Sequence, residues 1–145
     1  MKPHRARILA MQAIYQLDFN PRPLEKVIQF DWIDYELPED ERKLAAKLIF
    51  GVNENEEMID NIIKKYSQNW DFERVSVVTK AILRISIYQL AFMEKEIPQK
   101  VTLDEGIRLS KEYAETDSHR YINGILDTVY KELLIGNISI NKMSL

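Results

Sequence analysis

The sequence predicts an all-α protein, and three observations carry that prediction. Apolar residues recur at helical spacing along nearly the whole chain, helix-start signals follow proline at several points, and four Gly with five Pro leave little material for the turns of an all-β fold. A chain of 145 residues with 46% hydrophobic and 30% charged content has the size and balance of one ordinary globular domain.

The first helix is read from Arg5 to Leu17, where Ala6, Ala10, Ala13, Ile14 and Leu17 form an apolar stripe. Arg5, Gln12 and Gln16 share a separate polar face. Asn20-Pro21-Arg22-Pro23 ends it and opens a short second helix with Leu24, Val27 and Ile28 on one side. A polar loop leads to Pro38-Glu39-Asp40-Glu41, a helix start in which three acids face the positive end of the macrodipole. Leu44, Ala45, Leu48, Ile49 and Val52 continue the stripe, and its phase returns at Ile59, Ile62, Ile63 and Tyr66. Pattern alone leaves one bent helix or two helices open here, and a break is expected near Asn53.

After a connector at Asn69 to Phe72, an apolar helix from about Glu73 to Met93 reads as the central, most buried one. The loop Glu94 to Gln99 follows. Thr102-x-x-Glu105 then has the form of a capping box, opening a helix that carries Leu103, Ile107 and Tyr113. Beyond a loop at Ala114 to Ser118, the last helix starts at Asp117 or Ser118 and presents Ile122, Ile125, Leu126 and Val129. The expectation is one domain over residues 1–145, with an N-terminal half at about 4–53, a C-terminal half at about 55–134 and a polar tail at 136–145.

Composition removes several function classes. Without cysteine there is no disulfide framework, thiol nucleophile or Cys-ligated zinc. No apolar run approaches the roughly 18–20 residues of a membrane helix, and Met1 to Arg7 does not open a signal peptide, so a cytoplasmic protein is expected. Only His4 and His119 offer an imidazole, and neither stands in a recognisable nucleophile motif. Glu54, Glu56 and Glu57 read as a solvated face, and the isolated glycines make no phosphate loop. The expectation is a protein that is no enzyme, with no catalytic residue, metal or cofactor.

The net charge of −3 conceals a gradient. Residues 1–17 carry Lys2, Arg5 and Arg7 without an acid, whereas residues 31–60 carry ten acids against Arg42, Lys43 and Lys47, a local −7. Three features are candidates for binding a polyanion. Cations at the start of the first helix oppose its macrodipole. Lys80 and Arg84 form a like-charged i, i+4 pair on an apolar helix, so each needs either an acid or an anionic ligand. Asp117 to Gly124 gathers Arg120, Tyr121 and Asn123 at a helix start, a set suited to unpaired RNA bases. Tyr121 is expected at the margin of the buried stripe, partly exposed, with Ile122 facing the core. Gly124 inside a helix suggests close approach of another helix.

Four stretches together resemble the NusB family of bacterial transcription antitermination factors: Arg5-Ala6-Arg7 with Ala10-Met11-Gln12-Ala13-Ile14-Tyr15-Gln16, Ala81 to Leu90, Ile97 to Glu105, and Asp117 to Asp127. Order, spacing and length all fit. The resemblance implies about seven helices in two small packed bundles. It implies binding of boxA RNA of ribosomal-RNA leaders together with the ribosomal protein NusE, in a complex that carries RNA polymerase through terminators. It places RNA contacts at Lys2, Arg5, Arg7, Gln12 and Tyr15, at Lys80 and Arg84, and at Asp117, Arg120 and Tyr121. His4 stands where many relatives have arginine, which thins the basic patch and leaves more of the affinity to the partner. The rival readings are an RNA-binding domain cut from an RNA cytosine methyltransferase and a purely protein-binding helical adaptor. Monomer and homodimer both stay open.

Overall fold

The computed structural model describes residues 2–68 and 70–140. They form α1 (Pro3–Phe19), α2 (Leu24–Val27), α3 (Glu39–Tyr66), a 3-10 turn (Phe72–Arg74), α4 (Val77–Phe92), α5 (Gln99–Tyr113) and α6 (Thr116–Leu134). Six α-helices and one short turn are close to the seven expected, and the described residues contain no strand.

The helix from which the rest hangs is α4. Eleven of its 16 residues are buried, and it packs against α1, α3, α5 and α6. Ile82, Leu83, Ile85, Ile87 and Leu90 are wholly or almost wholly shielded from water, and they join Leu9, Leu48, Ile49, Ile63 and Ile122 in one continuous core. Its start is three to four residues later than the pattern suggested. Asp71 accepts from the Glu73 amide (3.1 Å) and turns Phe72–Arg74 into a separate 3-10 unit, after which the Ser76 hydroxyl caps α4 at the Thr79 amide (3.3 Å).

Two other boundaries move for the same kind of reason. Helix α5 opens at Gln99 with Pro98 in the capping place, because proline presets the backbone for a first turn. Thr102 therefore lies inside the helix with its hydroxyl buried and unpaired, and the capping box is not formed. The loop before α6 shrinks to Ala114 and Glu115. At the other end of α6, Gly136 takes a left-handed turn (φ 82°), which lets the amides of Asn137 and Ile138 reach the Glu132 carbonyl. Ile138 still packs on the edge of the core, while residues 141–145 of the expected polar tail fall outside the described residues.

The helical geometry of α3 is interrupted two residues past Asn53, by a kink at Asn55 (φ −115°, ψ 15°), whose side-chain amide donates to the Gly51 carbonyl at 2.8 Å. A side chain that hydrogen-bonds the carbonyl of the preceding turn bends a helix without ending it.

The glycines also depart from expectation. Close approach occurs at Gly106, where an added Cβ would meet Leu126 at 2.6 Å and Ser86 at 3.0 Å, and at Gly51 under the Tyr88 ring. At Gly124 nothing lies within 4 Å, so no neighbouring helix explains it.

Replacing Leu83 by Ala should lower stability by about 2–5 kcal/mol through lost burial and an unfilled cavity. Gly106→Ala should cost about 1–3 kcal/mol by overpacking a three-helix junction, against its helix-propensity gain. Thermal or urea melts check both, and an unchanged midpoint for Leu83→Ala would place α4 at the periphery.

Candidate nucleic-acid interface

The basic N-terminus is met by acids from other elements. Lys2, ahead of the first turn of α1, is exposed and makes no side-chain cap. Both ring nitrogens of His4 face α5, Nδ1 at 2.6 Å from Glu105 and Nε2 at 3.1 Å from Glu112. Arg5 forms a two-pronged bond to Glu41 on α3 (3.0 and 2.6 Å), while its guanidinium lies 5.4 Å from the Tyr35 ring centroid. The hydrogen bonds from Arg5 hold the Glu41 carboxyl below the usual glutamate range. Arg7, expected to touch RNA, is turned inward in the free chain. It is 4% exposed, donates to Gln89 on α4 at 2.9 Å and lies 3.8 Å from Glu105. Burial lowers its pKa from the usual arginine value.

Arg84 is likewise turned inward. It is 5% exposed and fully engaged inside the protein. Nε and one terminal nitrogen donate to the two oxygens of Asp60, both at 2.9 Å. The other nitrogen reaches Asp18 at 3.2 Å and lies 3.4 Å from Glu56. Burial alone would lower the Arg84 pKa, but the bonds to Asp60 and the charges of Asp60, Glu56 and Asp18 outweigh it and raise it. Glu56 moves up, because burial outweighs the attraction of Arg84. The like-charged neighbour Lys80 has a different fate: it stays partly exposed, its ammonium 4.5 Å from the centre of the Phe72 ring.

Gln12 is partly exposed and Tyr15 largely so, the latter leaning on Phe19 at a ring separation of 5.0 Å.

For Tyr121 it is the expected partial exposure that the structure corrects. It is 5% exposed rather than marginal, and Ile122 is buried as expected. Ser67 gives its only proton to the Ile63 carbonyl (2.6 Å), so the Tyr121 hydroxyl donates to Ser67 Oγ (2.6 Å). Asp117 and Arg120 remain exposed on the first turns of α6. Together with Tyr66, Trp70 and Gly124 they border a cleft of about 470 Å³. His119 serves structure. Ser110 donates to the Ile107 carbonyl (2.7 Å), which leaves His119 Nδ1 to donate to Ser110 (2.6 Å) and tie α6 to α5. No cluster of His, Asp and Glu suited to a metal ion occurs among the described residues. No helix among them is long and apolar enough to cross a membrane.

A family model described as the NusB family matches residues 4–131. The chain belongs to the NusB family. A transcription antitermination protein NusB of Leptospira biflexa is 39% identical over 132 residues, covering 91% of this chain and 94% of its own. One from Bacillus thuringiensis is 37% identical over 129 residues, covering 89% and 97%. Among solved structures, T. maritima NusB superposes with a TM-score of 0.81 at 35% identity, covering 91% of this chain and 92% of that one. NusB from a complex of the antitermination factors NusB and NusE with double-stranded RNA gives 0.72 at 26% identity, covering 90% and 98%.

Of the NusB-like positions read from sequence, Lys2, Gln12, Tyr15, Lys80, Asp117 and Arg120 are at the surface, Arg5 is shared with Glu41, and Arg7, Arg84 and Tyr121 are inside. Sequence reading missed Trp70, which sits in a connector with nearly half its surface open, and Tyr35, which sits in a polar loop beside Arg5. An aromatic residue set between polar neighbours in a connector was the available signal for both.

Arg84→Ala should cost on the order of 3–5 kcal/mol by leaving Asp60 part-buried and unpaired, read as a lower melting point. A pH titration of stability separates the other pair. Because the folded pKa of Glu41 is depressed, its contribution is complete above the unfolded value of about 4.3 and disappears as pH falls through the folded one. The wild type should thus lose more stability on acidification than Glu41→Gln, and parallel curves would remove the Arg5–Glu41 bond as a pH-dependent fastening.

Proposed function

We propose that this NusB-family protein is a cytoplasmic transcription antitermination factor that binds boxA RNA of ribosomal-RNA leader transcripts together with the ribosomal protein NusE, and that the assembly lets RNA polymerase read through terminators. One observation carries the reading: the likeness, over nine-tenths of the chain, to a NusB held in a complex with NusE and RNA. The surface chemistry supports it. Lys2, Arg5 and Lys80 supply cations, Gln12 an amide and Tyr15 an exposed ring, and Asp117 and Arg120 edge an open cleft. The ion pairs of His4 and Arg5 neutralise part of the basic N-terminus, so NusE supplies a share of the electrostatic attraction.

Anisotropy titrations with a boxA-type single strand, and with the same sequence as a duplex, test this with and without NusE. Tighter binding of the single strand in the presence of NusE is expected. Absence of RNA binding with NusE present would end the reading. Lys2→Ala and Lys80→Ala should each weaken binding and reduce the salt slope by about 0.7 for every phosphate that is no longer neutralised. Arg7→Ala should instead lower the melting temperature, since its guanidinium is bonded inside the protein.

A further inference from the structure

The cleft at the start of α6 contains a glycine that packing does not explain. Gly124 lies in the interior of a 19-residue helix, where alanine would be favoured by about 1 kcal/mol. It is exposed, its φ is not in the left-handed region, and an added Cβ would meet nothing within 4 Å. Neither helix crossing nor backbone conformation requires it. What the missing side chain leaves is open floor in the cleft.

The rest of the cleft joins aromatic rings to one acid, Asp117, and one cation, Arg120. Trp70 borders it with 47% of its surface exposed, a large indole left half in water. Its ring centre is 4.9 Å from that of Tyr121, at 38° between planes. Tyr121 cannot swing away, because its hydroxyl is pinned on Ser67, so Trp70 has a fixed backing. Arg120, at the same cleft, is exposed and makes no ion pair among the described residues, unlike Arg5, Arg7 and Arg84. An aromatic face with an uncommitted cation beside it is the set that takes a base and its phosphate from a single strand.

We propose that this cleft is a socket for one unpaired base of a bound RNA strand, stacked on Trp70 over the open floor at Gly124, with Arg120 on the adjoining phosphate. The inference rests on the RNA-binding reading above. It adds a stacking residue and gives the buried Tyr121 a positioning role behind it rather than a direct touch on the RNA.

An abasic scan tests it, using a short boxA-type single strand with NusE present. Each position in turn loses its base, and affinity is measured for the wild type and Trp70→Ala. One position should lose about five- to a hundredfold in affinity with the wild type and almost nothing with Trp70→Ala, since that variant has already lost the stack. Trp70→Phe should recover most of the affinity. A Trp32→Phe background leaves Trp70 as the only indole, so its fluorescence should quench on binding. Gly124→Leu guards against a folding artefact: it should melt no lower than the wild type and bind the strand less tightly. If the wild type binds RNA but no position couples to Trp70, or if Gly124→Leu binds as tightly as the wild type, the socket is overturned while the RNA reading stands. If the wild type with NusE binds no RNA at all, both fall.

Discussion

The architecture depends on a guanidinium held where water scarcely reaches. Arg84 sits on the most buried helix and answers three carboxylates, Asp60 and Glu56 on α3 and Asp18 on α1. Removing such a charge from water is unfavourable, and only a nearly complete set of partners offsets it. The consequence is geometric. Apolar side chains alone allow α4 to slide or rotate against its neighbours with modest loss, whereas a two-pronged bond to Asp60 admits one rotation and one height. That register places Ser67 at the end of α3 within reach of Tyr121 on α6, and so sets the wall of the cleft.

The same logic governs the basic end of the molecule. The three cations at the start of the first helix, and His4 among them, are divided by the fold among different tasks. Lys2 faces water, His4 and Arg5 are paired at the surface, and Arg7 enters the interior to meet Gln89. The acids that pair with them come from α3 and α5, remote in sequence. A local charge count therefore overstates the field an approaching polyanion meets.

Most of the helices could be read from the chain because their information is local: apolar period, proline at a first turn, acids at the positive end of a helix. The errors arose where a distant residue decides. Thr102 and Glu105 have the spelling of a cap, but Pro98 starts the helix a turn sooner and Glu105 turns to His4. Lys80 and Arg84 look alike in sequence, and only the position of Asp18, Glu56 and Asp60 in space separates a surface cation from an interior one. Tyr121 lies one residue from the edge of its stripe, and a hydroxyl partner on another helix drew it inward. Trp70 carries no periodic signal at all, which is why only the α6 side of the cleft is legible in the sequence.

The bond between Arg7 and Gln89 spans 82 positions of sequence, and it joins the first helix to the central one. On a ribosome adding about 5–20 residues each second, α1 is thus made roughly 4–16 s before its partner exists. Throughout that interval its stripe of Ala6, Leu9, Ala10, Ala13 and Ile14 has no completed core to enter. Helices α3 and α1 alone offer only half of a seat. Synthesis of this protein accordingly passes through a window in which an amphipathic helix waits near the tunnel exit, within reach of whatever chaperone or neighbouring chain is there, and the window closes only when α4 emerges.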